Sequence, residues 1–285
     1  MAHALRMSVR MRDTVSGVLG RLRHEPTAKR VRAMLGGATV VDSTRAVLLW
    51  EPRRVVPTYA VPRSDITAEL GPPVASTVAA EDVGLALPEV SDRPILDPSI
   101  PFAVHTAPGQ ALDVRAGGEL RRAAAFEIDD PQLDGYVVLD FAAFDSWLEE
   151  NDPTVSHPKD PFHRIDVLTG ARHVRLELDG APLADSAQAT LLFETLLPTR
   201  YYLPRADVLA ELVPSPTRSW CAYKGQASYF STVVGGRTVP DLAWTYPEPL
   251  HEAAKVRDLV CFFDERVDVV LDGVPQPRPT TPWSR

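Results

Sequence analysis

The chain has only two cysteines among its 285 residues, Cys221 and Cys261, and they do not form a Cys-x-x-Cys pair. Two sulfurs are too few for the disulfide framework of a small secreted protein. Without paired cysteines, a cysteine-ligated structural zinc site is not expected either. We therefore predict two reduced, unpaired thiols in a cytoplasmic protein.

Basic charge and long apolar runs are also scarce. The formal net charge is -8 and the sequence pI is about 5.4, which argues against a nucleic-acid-binding surface. No apolar run approaches the ~18 residues of a membrane span. Glycine, at 16, is outnumbered by 27 prolines, which favours loops and strand ends over long helices. Residues 11–23 have apolar positions at helical spacing, which predicts a short amphipathic helix, with a transit peptide as the alternative.

The sequence contains an internal duplication. Residues 31–51 align with residues 174–194 without a gap, and 11 of the 21 pairs are identical, where about one or two are expected by chance. After a shift of one residue, 62–70 aligns with 204–212, with six of nine pairs identical. Two diverged copies of one unit follow from these matches.

The repeated unit has the pattern of antiparallel strands. Val174, Leu176 and Leu178 alternate with polar residues, as in a strand with one buried face. Asp179 and Gly180 then supply the residues of a tight hairpin turn. We predict a mainly β fold, in which each copy is a meander of about six short strands. Helix is expected only in short pieces such as residues 207–212.

The organisation along the chain follows from these matches. Residues 71–104 carry six prolines and read as an insertion within the first copy. We expect the following segments: an N-terminal segment, 1–27; a first, degenerate copy, 28–150; a connector, 151–170; a second copy, 171–275; and a C-terminal tail, 276–285.

The two copies differ in their chemically active side chains. When CAYKGQA, residues 221–227, is aligned with HTAPGQA, residues 105–111, Gly-Gln-Ala is retained while Cys, Tyr and Lys are replaced. Most of the aromatic residues of the second copy also lack counterparts in the first. This asymmetry favours a working second copy beside a structural first copy, although unequal drift would give the same pattern.

Three runs of the second copy resemble a known family. They are LLFETLLPTRYYLPRADV, CAYKGQASYFSTVVGGRTVPDLAWTYPEPL and VCFFDERVDVVLDG, and they are similar to the family called domain of unknown function 427. The resemblance extends over the whole second copy and, more weakly, over residues 28–70. It implies a compact β-sheet fold of the Mss4-like or β-tent type, often present as tandem copies. It implies no activity, and the paired-cysteine zinc site of that broader fold does not carry over.

Lys224, Cys221 and Glu194 are the leading polar candidates for a site. A lysine followed by glycine suits a tight loop with an exposed ammonium group. A cysteine near a lysine ionises more easily and can act as a nucleophile; the alternative is a small buried hydrophobe. Glu194 has a counterpart at Glu51 in the degenerate copy, which favours a structural carboxylate over a catalytic one. Asp207, matched by Asp65, has the same structural interpretation.

The aromatic residues of the second copy are the remaining candidates. Tyr202, Tyr223, Tyr229 and Trp244 suit half-buried sheet positions, so packing is one interpretation and a pocket wall is the other. A further set of ligand-capable residues fits no standard zinc spacing and more plausibly belongs to a stiff connector. That set comprises His157, Asp160, His163 and Asp166.

The functional hypothesis is a small-molecule pocket in the second copy, lined by these aromatic residues and by Lys224, Cys221 and Glu194. No cofactor or metal is expected, and the sequence does not decide between binding and catalysis or define an oligomeric state. The alternative is a protein-interaction or structural module without chemistry.

Overall fold

The computed structural model describes residues 8–73, 84, 94–281 and 284. Contacts between residues divide the chain into two units, residues 1–158 and 159–285. Both units consist mainly of β-strands, with short helical pieces, so the predicted fold class is confirmed. Within the described part of the chain, no helix is both long and apolar enough to cross a bilayer. Of the predicted insertion 71–104, residues 74–83 and 85–93 lie outside the described residues.

The first unit starts with the helix α1, Met11–Ser16, and its described residues then form eleven strands. These are β1 Arg23–Pro26, β2 Val31–Leu35, β3 Ala38–Ser43, β4 Val47–Trp50, β5 Thr58–Pro62, β6 Glu69–Gly71, β7 Gly109–Ala116, β8 Glu119–Ile128, β9 Tyr136–Leu139, β10 Ser146–Glu149 and β11 Asp152–Thr154. One antiparallel sheet has the order β1-β4-β5-β9-β8-β7-β6, and a second has the order β11-β10-β2-β3. Short 3-10 helices occur at Arg63–Asp65, Pro131–Leu133 and Phe141–Ala143.

The described residues of the second unit also form eleven strands. These are β12 Ile165–Thr169, β13 Val174–Leu178, β14 Ala181–Ser186, β15 Thr190–Glu194, β16 Arg200–Leu203, β17 Glu211–Cys221, β18 Gly225–Val234, β19 Arg237–Thr245, β20 Val260–Phe262, β21 Asp268–Leu271 and β22 Val274–Gln276. They form a seven-stranded sheet, β12-β15-β16-β20-β19-β18-β17, and a four-stranded sheet, β14-β13-β21-β22. Two 3-10 helices, Arg205–Asp207 and His251–Val256, complete the unit.

The two units share one topology. Adding eleven to each strand number of the first unit gives the strand order of both sheets in the second. The registers agree as well, because Val31 pairs with Ser43 just as Val174 pairs with Ser186. Each of these hairpins carries a register shift at the same place, after Ala33 or Leu176. The prediction that residues 31–51 and 174–194 form the same elements is therefore confirmed.

The central strands β16 and β20 of the seven-stranded sheet of the second unit are largely buried on both faces. Adjacent residues of β16 point in opposite directions, so Leu203 packs with β13 in the core between the two sheets. Tyr202 packs on the other face, in a second core that includes Trp244 and reaches Ala253 of the 3-10 helix. This second face is the one that carries the candidate site.

The helix predicted over residues 207–212 is absent, and this prediction is wrong. A single 3-10 turn, Arg205–Asp207, is followed by strand β17. Val208, Ala210 and Leu212 pack against the core while Leu209 is exposed, which is the two-residue period of extended chain. Val208 forms a β-bridge with Ala184, and Glu211 and Leu212 pair with β18, so strand contacts override the helical propensity of this segment.

Each unit also has more strands than the six predicted. The outer strand β1 lies in the predicted N-terminal segment 1–27, and β11 and β12 lie in the predicted connector 151–170. These strands are only three to five residues long and rich in polar residues or proline, so their sequences carry no clear alternation.

A serine–aspartate hydrogen bond recurs at the same place in both units. The hydroxyl of Ser186 donates to Oδ2 of Asp207 across 2.5 Å, and the hydroxyl of Ser43 donates to Oδ2 of Asp65 across 2.7 Å. The bond ties the end of one strand of the four-stranded sheet to the 3-10 turn that leads into the long hairpin. The retained aspartate is therefore a turn residue, as its presence in both copies indicates.

We expect Asp207→Ala to destabilise the second unit by about 1–2 kcal/mol, because it leaves the buried Ser186 hydroxyl without its acceptor. Asp65→Ala should destabilise the first unit by a similar amount. Urea unfolding followed by the tryptophan signal measures both. Asp166→Asn, which changes a half-exposed carboxylate, serves as the control, and equal stability of all three variants and the wild type would contradict this role.

Candidate functional site

The candidate site is built around the carboxylate of Glu194, at the end of strand β15. Its Oε2 atom lies 2.5 Å from the ammonium nitrogen of Lys224, and its Oε1 atom lies 3.1 Å from Nε2 of His163. The side chains of Glu194 and Lys224 are only 7% and 12% exposed. The prediction of an exposed Lys224 ammonium is therefore wrong: the lysine forms a largely buried ion pair.

Lys224 is held by the tight turn between β17 and β18. Gly225, the next residue, has φ +91°, and a Cβ atom there would lie 3.2 Å from the carbonyl oxygen of Glu248. The backbone carbonyl of Lys224 accepts a hydrogen bond from the Leu250 N–H at 3.1 Å. Glycine is thus needed both for its backbone conformation and for the close approach of the chain behind it. The turn aims the lysine side chain inward, at the end of β15.

Cys221 ends strand β17, three residues before Lys224. The Tyr223 N–H donates to the Cys221 sulfur, with 3.5 Å between nitrogen and sulfur. Cys221 is half-buried, whereas Cys261 is fully buried in the second core. Neither cysteine is paired, which confirms the prediction of two free thiols.

Electrostatics favour the charged forms of both partners of the ion pair. Burial by itself would raise the pKa of Glu194, but Lys224 and His163 outweigh it and lower this pKa to about 2. Burial would likewise lower the pKa of Lys224, but the charge of Glu194 and the interaction with Cys221 raise it above its ordinary value. The pair is therefore a carboxylate and an ammonium ion across the neutral pH range.

His163 is oriented by a turn that starts at Asp160. The carboxylate of Asp160 accepts hydrogen bonds from the backbone N–H groups of Phe162 and His163, both at 2.8 Å. The Asp160 N–H in turn donates to the Tyr223 hydroxyl at 3.1 Å, and the rings of His163 and Tyr223 lie 4.7 Å apart. The site thus joins the turn before β12 to the turn after β17.

Sequence reasoning missed His163 as a partner of Glu194. The residue was grouped with other possible metal ligands, but His157 belongs to the first unit and bonds the backbone carbonyl of Pro158. Asp166 instead forms an ion pair with Arg164 at 3.3 Å. Only the pairing of β12 with β15, which places Ile165 opposite Glu194, brings His163 to the carboxylate.

The aromatic candidates lie close to this cluster, but three of the four, Tyr202, Tyr223 and Trp244, are buried. Trp244 Nε1 donates to the Tyr202 hydroxyl at 3.2 Å, and both side chains are buried. Burial raises the pKa of Tyr202 and of Tyr223, and the nearby charge of Glu194 adds to the effect. Tyr229 is partly exposed and shares a hydrogen bond of 2.7 Å with Ser219. Of the four candidates, Tyr229 is therefore the one with a partly exposed side chain.

The first unit also has a buried glutamate carboxylate, but different groups form hydrogen bonds with it. Glu51 is buried, and its Oε1 atom lies 2.7 Å from Nδ1 of His105. Its Oε2 atom accepts backbone N–H groups from Thr106 at 2.6 Å and Ala107 at 3.0 Å. A glutamate at this position is thus common to both units, while the lysine is present only in the second.

Strand register corrects the alignment used to compare the two turns. Ala111 pairs with Phe126, and this pair lies as many residues from the turn between β7 and β8 as the pair Tyr229–Trp244 lies from the turn between β18 and β19. Gly109 therefore corresponds to Ala227. The Gly-Gln-Ala alignment instead pairs Gly109 with Gly225, two residues earlier. The identical triplet misled the comparison because it starts β7 in the first unit and β18 in the second, and β18 is two residues longer than β7. The Thr106 N–H contacts Oε2 of Glu51, and the Lys224 ammonium contacts the corresponding Oε2 atom of Glu194 in the second unit.

Comparison with known proteins supports this architecture. The model of the family described as domain of unknown function (DUF427) matches residues 23–86 and 166–273. The first segment includes Glu51, directly after β4, and the second includes Glu194 at the end of β15 and the turn that carries Lys224. Comparison with curated proteins gives no match.

We expect Glu194→Gln to flatten the pH dependence of stability. The Glu194 carboxylate, with a pKa of about 2 in the folded state and about 4.3 when unfolded, stabilises the fold above pH ~4.5. This contribution, on the order of 1–3 kcal/mol, is lost as the pH falls from ~4.5 toward 2. Urea unfolding between pH 7 and pH 3 should show a steeper loss for the wild type than for the variant. Parallel curves would contradict the ion pair, and Asp166→Asn should follow the wild type.

Proposed function

The chain belongs to the family described as domain of unknown function 427, and we propose that its second copy binds a small polar molecule. The binding site is the cluster of His163, Glu194, Cys221 and Lys224, with Tyr223 and Tyr229 beside it and Tyr202 and Trp244 supporting it from the core. We place the protein in the cytoplasm, in keeping with its two unpaired thiols.

The observation that carries this proposal is the buried ion pair itself. Taking an ammonium ion and a carboxylate out of water costs several kcal/mol, and the attraction between them rarely repays more than that cost. The first unit has the same topology and satisfies Glu51 with a histidine and backbone N–H groups, without a lysine. Folding therefore does not require the Lys224 charge, which supports a role in recognition.

The composition of the cluster indicates the chemistry of the ligand. Lys224 and Glu194 cancel in charge, so the site does not select strongly for an anion or a cation. Ammonium and imidazole groups donate hydrogen bonds, and the carboxylate and thiol accept them. An uncharged or zwitterionic molecule with both donors and acceptors fits this set. It would approach from the side on which His163 and Cys221 are partly exposed.

One observation favours the alternative, a protein-interaction module. Phe193 of strand β15 is 41% exposed, whereas Trp50, its counterpart in the first unit, is 6% exposed. Leu168, on the neighbouring outer strand β12, is also exposed. An uncovered apolar patch beside a sheet edge is a feature of binding surfaces. A protein partner would cover Phe193 and leave the Lys224 cluster in place.

A ligand screen with matched variants tests the proposed site. Saturation-transfer NMR with a library of uncharged and zwitterionic small molecules should give binders whose affinity falls at least tenfold in Lys224→Met. Cys221→Ser, which keeps the ion pair, should weaken the same binders less. His105→Gln, at the equivalent carboxylate of the first unit, should leave them unchanged. Binders that respond to His105→Gln and not to Lys224→Met would contradict the proposal.

A further inference from the structure

Three apolar side chains on and beside strand β15 of the second unit are exposed: Phe193, Leu168 and Leu197, which we call the apolar patch. Leu168 pairs with Leu191 across the sheet, and Phe193 follows Leu191 by two residues, so these side chains share the face that meets the four-stranded sheet. Glu194, the next residue of the strand, points to the opposite face. The apolar patch is therefore a different surface from the candidate site.

The turn that carries Leu197 has an exact structural counterpart in the first unit. Arg53 has φ +70°, and Leu196, at the same place in the second unit, has φ +64°. In both units the following residue donates its N–H across 3.1 Å to the carbonyl oxygen of the glutamate that ends the strand. Arg54 therefore corresponds to Leu197. Arg54 is buried, whereas Leu197 is 36% exposed.

In the first unit, residues 95–104 cover this turn. The guanidinium group of Arg54 donates hydrogen bonds of 2.5–2.9 Å to three backbone carbonyls of the segment, those of Ile100, Pro101 and Val104. Its Cζ atom lies 4.8 Å from the centre of the Phe102 ring, and Phe102 belongs to the core cluster that contains Trp50. The segment thus adds an aromatic side chain to the core around Trp50, and Arg54 holds it there.

The second unit has no such segment in its chain. Residues 72–108 connect β6 to β7, whereas residues 222–224 connect β17 to β18. The backbone contacts differ as well, because the Val55 N–H donates to the Leu96 carbonyl at 3.4 Å, and Pro198, the residue after Leu197, has no N–H. A cover for the apolar patch is therefore held by side chains and not by strand pairing.

The charges beside the two aromatic rings are opposite in sign. Arg23 pairs with Trp50 across the sheet, and its guanidinium carbon lies 5.9 Å from the centre of the Trp50 ring. Asp166 holds the corresponding position opposite Phe193. Its carboxylate is half-exposed, and its ion pair with the exposed Arg164 is long, at 3.3 Å. A cation brought by another molecule can therefore lie over Phe193 and pair with Asp166.

We propose that the apolar patch is the docking site of a partner protein, which contributes a short segment with a large apolar side chain next to a lysine or arginine. The apolar side chain takes the place that Phe102 has in the first unit. The basic side chain takes the place of Arg23 and pairs with Asp166. This inference goes beyond the proposed function, because the apolar patch and the Lys224 cluster have no residue in common.

Panning a phage-displayed library of short random peptides on the folded full-length protein tests the proposal. The enriched peptides should combine a large apolar residue with a neighbouring lysine or arginine. Fluorescence anisotropy with the synthetic peptides should show an affinity that falls at least about tenfold in Phe193→Ser, because aromatic anchors dominate such interfaces. Asp166→Asn should weaken binding about threefold and make it less sensitive to salt.

Two further variants control for position and for folding. Leu209→Ser changes an exposed leucine of the same unit outside the apolar patch and should leave the affinity unchanged. Leu168→Ser changes a second residue of the apolar patch and should weaken binding as Phe193→Ser does. Urea unfolding shows whether each variant is folded, and Leu168→Ser decides if Phe193→Ser is not.

Three results would overturn the proposal: no enriched peptide, peptides whose affinity is unchanged in both patch variants, or peptides that respond to Lys224→Met and not to Phe193→Ser. The small-molecule screen fails or succeeds independently. Its failure, together with peptide binding that depends on Phe193, would reject the proposed polar ligand and leave the docking site standing. Small-molecule binding that depends on Lys224, without any peptide binding, would do the reverse.

Discussion

One constraint shapes the site: each unit buries a glutamate carboxylate at the end of the fourth strand of its repeat. A buried carboxylate must find hydrogen-bond donors, and the two units meet this requirement in different ways. In the first unit, His105 and two backbone N–H groups surround Glu51. In the second, Lys224 and His163 reach Glu194 from two separate turns. A buried carboxylate is thus retained in both units, and its partners are what has diverged.

This divergence links the fold to function. The strand order and the serine–aspartate tie between sheet and turn are the same in both units, so the framework does not depend on the Lys224 charge. The second unit nevertheless buries an ammonium ion and places a half-buried cysteine beside it. The first unit has the carboxylate and a histidine, but neither lysine nor cysteine contacts Glu51 among its described residues. The proposed binding site in the second unit would account for the difference.

The sequence predicted the duplication and the β class, because identical residues and two-residue alternation are local signals. It did not predict that Lys224 is buried, since the depth of a lysine depends on which strand end faces it. The sequence likewise did not predict His163 as a partner of Glu194, because the short outer strand β12 that follows it has no clear alternation of apolar and polar residues. The Gly-Gln-Ala triplet was misleading for a related reason. Strand pairing shows that the triplets of the two units are offset by two residues, and the sequence alone does not show this pairing.

The central claim is that the Lys224–Glu194 pair serves the site and not the fold, and a double-mutant cycle tests it most directly. Glu194→Met and Lys224→Met are each expected to lower the free energy of unfolding by about 3 kcal/mol, because each leaves one buried charge without its partner. The account predicts that the double variant recovers to within about 1 kcal/mol of the wild type. A double variant destabilised by the sum of the two single changes would contradict it and make the ion pair a structural element of the second unit.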